Sequence, residues 1–106
     1  MPSYLVRVRL PDRPGALGLV ASRIGAVGGD ITALDILERH RGTALDELVV
    51  DLPGSHLVRL LRSEVEEVDG VKVEAVVPLA PPPDGPPAAP PDAPFDARPE
   101  GTARQP

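Results

Sequence analysis

Cysteine, tryptophan and asparagine are missing from this 106-residue chain, and its aromatics are one tyrosine, Tyr4, and one phenylalanine, Phe95. Without cysteine there is no disulfide framework and no thiolate metal ligand. His40 and His56 are the only histidines. Neither has a partner histidine at a ligating spacing, and a metal site needs three or four ligands, so no metal is expected. Clustered basic residues are lacking too. Eleven Lys and Arg face sixteen Asp and Glu, for a net charge of −5. That leaves no phosphate-tracking surface, and nucleic acid is not an expected partner. No apolar run approaches the roughly 20 residues of a membrane span, and the first strand begins within a few residues of Met1. The expectation is a soluble, cytoplasmic protein with no membrane contact.

What the chain does have is unevenly spread. Residues 1–79 hold five of the fifteen prolines and nearly all the branched aliphatics, whereas residues 80–106 hold ten prolines and no Leu, Ile or Val. The sequence therefore predicts one folded unit over residues 1–79 and a disordered or partly polyproline II tail over residues 80–106. A unit of that size is near the lower limit for a self-sufficient core, so burial in a dimer would help it.

Within the folded part, Tyr4, Val6, Val8 and Leu10 alternate with polar residues and predict a strand over 3–10. Leu17, Val20, Ala21, Ile24 and Val27 make one stripe of a helix over 14–27. Pro14 suits its first position, and Gly28-Gly29 suits its end. A second strand follows over 30–39 and a turn at Arg41-Gly42-Thr43. A third strand over 44–52 points Leu48, Val50 and Leu52 inward. Pro53-Gly54 breaks the chain. Ser55 is placed to cap a second helix striped by Leu57, Leu60, Leu61, Val65 and Val68, which Gly70 stops before a last strand over 71–78. The Glu64 to Glu67 run near that helix's end reads as a solvated face.

The order β-α-β-β-α-β is the split βαβ, or ferredoxin-like, arrangement. It predicts an α+β fold with a four-stranded antiparallel sheet in the order 4-1-3-2 and two helices on one face. On the open face, Arg7 and Arg9 should lie between Glu47 and Asp51 on one side and Lys72 and Glu74 on the other. Tyr4 is expected on the helix-covered face, so the aromatic stacking that RNA readers of this topology use is missing. The second strand, Asp30 to Leu37, is long, lacks proline and is apolar on both faces, with one face expected under the helices and the other showing Ile31, Ala33 and Leu37. An edge of that kind pairs with another chain. A side-by-side homodimer through this strand is the expectation.

The loop Asp12-Arg13-Pro14-Gly15-Ala16-Leu17 is the candidate site. Asp12 is placed to accept hydrogen bonds from the open N–H groups of the helix start, or from a ligand there. Gly15, lacking a Cβ, leaves room for close approach. Capping alone would account for Asp12, at about 0.5–2 kcal/mol. No catalytic constellation accompanies it. Ser22 and Ser63 have no histidine brought near by the topology, and the absence of asparagine removes the anion-cradling chemistry of acylphosphatase. No cofactor is expected.

The topology, with Asp12-Arg13-Pro14-Gly15-x-Leu17 after the first strand and Gly29-Asp30-Ile31 opening the second, resembles an ACT domain over about residues 3–79. The resemblance implies a regulatory module, not an enzyme, that binds an amino acid or related metabolite at an ACT–ACT dimer interface. It implies that Asp12 receives a ligand α-ammonium, that backbone N–H groups of Gly15, Ala16 and Leu17 face a carboxylate, and that Asp30 and Ile31 of a neighbouring copy complete the site. Asp30 stands where ligand-binding members often have asparagine. Ionised aspartate only accepts hydrogen bonds, which favours an amine at that point. Because such domains are commonly fused to an enzyme or DNA-binding domain and none is expected here, a separately regulated enzyme is a possible partner. The alternative is an interaction module with a vestigial site that associates with another ACT-bearing enzyme or regulator. Cutting the chain after Leu79 should leave the cooperative melting transition of the domain in place; a large fall in Tm would overturn the expected boundary.

Overall fold

A computed structural model describes residues 1–80. The expected disordered tail therefore lies outside the described residues from position 81 onward. The elements are β1 (Ser3–Pro11), α1 (Ala16–Ala26), β2 (Asp30–His40), β3 (Thr43–Asp51), a 3-10 turn (Ser55–Leu57), α2 (Val58–Val65) and β4 (Lys72–Leu79). The sheet order is β2-β3-β1-β4, and every neighbouring pair is antiparallel. This is the α+β, ferredoxin-like arrangement, with the strand order expected from the sequence.

β1 carries the fold. Its burial alternates strictly, so Tyr4, Val6, Val8 and Leu10 are buried while their neighbours are half-exposed. Those four meet Val20 and Ile24 of α1, Leu48, Val50 and Leu52 from β3 and its end, and Leu61 and Val65 of α2 in one core. On the open face the expected ion pairs form. The Arg7 guanidinium lies 2.7 Å from Glu47 and that of Arg9 2.7 Å from Glu74, and the Ser3 hydroxyl donates to Asp51. Half-exposed cross-strand pairs of this kind contribute about 0.2–1 kcal/mol each.

The structure corrects several local expectations. α1 starts at Ala16, not Pro14, because Gly15 turns left-handed (φ +86°) and occupies the N-cap position. Ser55 opens a 3-10 turn and makes no side-chain cap. Leu60 is exposed, because α2 turns only its Leu61 and Val65 side into the core. Glu64 and Glu66 are not merely solvated. Glu64 pairs with Arg23 of α1, and Glu66 accepts the Val73 N–H at 2.8 Å, tying α2 to β4.

β2 departs most from expectation. Its ladder slips between Ile31 and Ala33 and again between Ile36 and Glu38, so Thr32 and Leu37 are extra residues in bulges. Each bulge flips the facing of the residues after it. Ile31 opposes buried Val50, Leu34 opposes buried Leu48 and Ile36 opposes buried Asp46. These three apolar residues therefore share the helix-side face, whereas Ala33 and Asp35 face the open side with Val49 and Glu47. The sequence expectation had Ile31 on the open face. Nor do the helices bury the other face, since Leu34 is 46% and Ile36 52% exposed.

Tight approach at one point can be tested directly. A Cβ on Gly29 would stand 2.7 Å from Ile24 Cγ2, 3.0 Å from the Ile24 carbonyl oxygen and 3.1 Å from Val50 Cγ1, whereas one on Gly18 in α1 meets nothing within 4 Å. Gly29→Ala is expected to lose about 1–3 kcal/mol of stability by overpacking. Gly18→Ala should gain about 0.8–1.0 kcal/mol from helix propensity. Urea unfolding of both variants measures the two signs.

Candidate functional site

The turn joining β2 to β3 is His40-Arg41-Gly42-Thr43. Arg41 (φ +54°) and Gly42 (φ +81°) are both left-handed, as a two-residue hairpin turn of the primed type requires. The Thr43 hydroxyl donates to the His40 carbonyl at 2.9 Å. The Gly42 carbonyl in turn accepts the Asp12 N–H at 2.8 Å. A tight hairpin thus anchors the loop between β1 and α1 beside the end of β2.

That anchoring brings Arg39 to Asp12. Arg39 Nε donates to Oδ2 and its terminal nitrogen to Oδ1, both at 3.1 Å. The fork is bidentate, and Asp12 holds the Arg39 guanidinium more firmly protonated. Asp12 therefore does not cap α1, whose start has no side-chain cap.

Behind this pair lies a cavity of about 180 Å³. Leu10, Leu17, Ile36 and Ala44 supply its apolar walls, Asp12, Arg13 and Arg39 its charged rim, and Asp46 a carboxylate set among them. Asp46 is only 2% exposed, and its Oδ1 has no hydrogen-bond partner. Leaving a buried polar atom unsatisfied costs about 1–3 kcal/mol. Burial pushes the Asp46 carboxyl above its ordinary range, the nearby Asp12 charge pushes it further the same way, and Arg39 partly opposes them.

The other hollows are less telling. One of about 740 Å³ opens at the far end of the open sheet face, where Ser3 and Asp51 already satisfy each other. One of about 550 Å³ is bounded by His56, Arg59 and Arg62, and Arg62 is committed to the Val73 carbonyl at 2.9 Å. Among the described residues no group of His, Asp and Glu is placed to hold a metal ion. No helix among them is long and apolar enough to cross a membrane.

Of the residues singled out from the sequence, Asp12, Arg13 and Leu17 line the cavity. Pro14 and Gly15 stand exposed beside it, and Ala16 is buried in the core. Asp30 and Ile31 lie at the opposite end of β2, where Asp30 pairs with Asp51. Within one chain the structure does not bring them to the loop. Arg39 and Asp46 were missed. Asp46 had left a signal, because the alternation that turns Leu48, Val50 and Leu52 inward places an aspartate inward two residues earlier. Arg39 left none, since the bulges set its facing.

The sheet order β2-β3-β1-β4 with two helices on one face defines the fold class. Residues 3–79 have the fold of an ACT domain. The ACT domain of a GTP pyrophosphokinase from Chlorobium tepidum superposes with a TM-score of 0.57 at 16% identity, covering 74% of this chain and 100% of that one. An ACT domain protein from Streptococcus pneumoniae gives 0.58 at 18% identity, covering 73% and 89%. An unknown protein from Galdieria sulphuraria gives 0.64 at 16% identity over 74% of this chain, which spans only 45% of that longer protein. No protein-family model and no curated protein matches the sequence.

The raised Asp46 pKa fixes the sign of a pH effect. A group that titrates higher in the folded state binds its proton more tightly there, so its ionisation costs stability as pH rises through the folded value. Below the unfolded value, about 3.9, both states are protonated and the cost vanishes. Asp46→Asn is therefore expected to melt above the wild type at pH 7, with the difference shrinking towards pH 3.5. Thermal denaturation across that range measures it, and a constant difference would contradict the assignment.

Proposed function

We propose that this protein is a regulatory module that binds a small molecule, an amino acid or related metabolite, in the cavity beside the β1–α1 loop. The observation that carries this reading is the cavity itself. It joins the loop of the Asp-Arg-Pro-Gly motif to a buried, unpartnered carboxylate in a domain with the ACT fold. Asp12, Arg13 and Leu17 border the ligand, Pro14 and Gly15 shape the loop, and Ala16 opens the helix whose first N–H groups favour an anion.

The dimer belongs to the same proposal. β2 is an edge strand that exposes Leu34, Ile36 and Leu37, a surface suited to pairing with a second copy. Antiparallel pairing of two such strands would carry the Asp30 end of one copy to the His40 end of the other, beside the cavity. Asp30 and Ile31 would then complete a neighbour's site. No catalytic role is proposed, and the cytoplasm is the expected compartment. The same exposed strand supports a second reading, in which the domain docks on another ACT-bearing enzyme or regulator and the cavity stays empty.

A thermal-shift screen of the twenty amino acids and common nucleotides tests the first reading. A ligand at one hundred times its Kd stabilises by about 2.7 kcal/mol, equivalent to a Tm rise of roughly 10–20 °C in so small a domain. No shift at millimolar concentration, together with recovery of a different ACT-bearing protein from cell lysate, would favour the second reading.

A further inference from the structure

The Arg39–Asp12 fork satisfies the rim of the cavity, but nothing satisfies its wall. We propose that Asp46 is a ligand-binding residue, whose carboxylate receives the ammonium group of a small primary amine entering this cavity. The inference rests on the reading of the cavity as the ligand site and adds to it the class of group that the site selects.

Three observations carry it. Asp46 is almost wholly enclosed and its Oδ1 has no donor. An ionised carboxylate accepts and cannot donate, so its complement is a donor, and a charged donor makes the shorter, stronger bond. Next, the space is about 180 Å³, below the range of drug-sized pockets. An ammonium is a compact point charge with three donors and fits such a space better than a planar guanidinium. Finally, Asp12 already has its charge matched by the Arg39 fork, whereas Asp46 has no such ion-pair partner within the cavity.

The charged groups sharing the cavity with Asp46 are Asp12 and Arg13 from the β1–α1 loop and Arg39 from β2. Arg13 and Arg39 at the rim suit a carboxylate, so a zwitterion would enter ammonium first. Burial and Asp12 disfavour the Asp46 charge, and a bound cation would relieve that disfavour. Occupation by an amine must then lower the pKa of Asp46, by linkage.

Two-dimensional NMR with methylammonium chloride as the probe, against sodium acetate at equal ionic strength, tests this on the full chain. Methylammonium is expected to shift the amides of Asp12, Ala44 and Asp46 saturably, and acetate is not. Asp46→Asn, which keeps the side chain's shape, should weaken methylammonium at least tenfold. The Asp46 carboxyl carbon of the wild type should titrate at lower pH when methylammonium is saturating. That last measurement needs no variant and decides the matter if Asp46→Asn fails to fold by circular dichroism. Equal shifts with acetate, unchanged affinity in the variant, or an unmoved wild-type titration would each overturn the role of Asp46. A compound that perturbs residues 12–17 and binds wild type and variant alike would remove that role while leaving the cavity a ligand site. Saturation by no amine and by no screened metabolite would remove both.

Discussion

The strict alternation of β1 is the constraint from which the remaining structure hangs. It is one of the two central strands, flanked by β3 and β4, so its residues from Ser3 to Arg9 are committed to one face by two neighbours at once. Tyr4, Val6, Val8 and Leu10 have to be covered, and among the described residues the two helices cover them. Arg7 and Arg9 have to stay wet, and they find Glu47 and Glu74 across the ladder. A one-residue slip would bury two guanidinium groups and expose four core residues. The loop that leaves this strand at Pro11 therefore starts from a rigid point, and so does the cavity beside it.

The exposed edge follows from the place of β2 at the outside of the sheet. The helices pack over the inward residues of β1 and β3 and leave the outer strand largely bare. What remains uncovered is the apolar line of Leu34 and Ile36, and beyond it the end of β2 that delivers Arg39. The hairpin at Arg41-Gly42 then clamps that end onto the loop through the Asp12 N–H. The exposed edge and the cavity are consequences of one geometry. That is why the cavity and the exposed edge strand lie side by side.

Asp46 shows how far the sequence could be read. The order of strands and helices, and most of their bounds, were legible to within a residue or two because period two and period 3.6 are local signals, and because Gly28, Gly42 and Gly70 sit where a left-handed turn is needed. The exception is α2, which ends at Val65 and not at the Gly70 stop. The inward place of Asp46 was legible by the same alternation as its apolar neighbours. The facing of Ile31, Ile36 and Arg39 was not. A bulge adds one residue to one strand, and only the partner strand's register shows that it is there. The capping alternative for Asp12 fails for a similar reason. As a helix cap it is a local residue, but its partner Arg39 is distant in sequence and is brought close by a hairpin that closes elsewhere.

By itself, the sequence determined the fold class, the strand order and most of the core, because a short chain with this apolar patterning has few ways to hide it. It also marked the loop from Asp12 to Leu17 as the place to look. Tertiary structure alone decided which side chains meet there. It joined Arg39 to Asp12 through a hairpin and two bulges, and it enclosed Asp46 without a donor. Local periodicity records which way a residue faces within its own element. A site is made by residues from three elements at once, and their meeting depends on register, which no single element encodes.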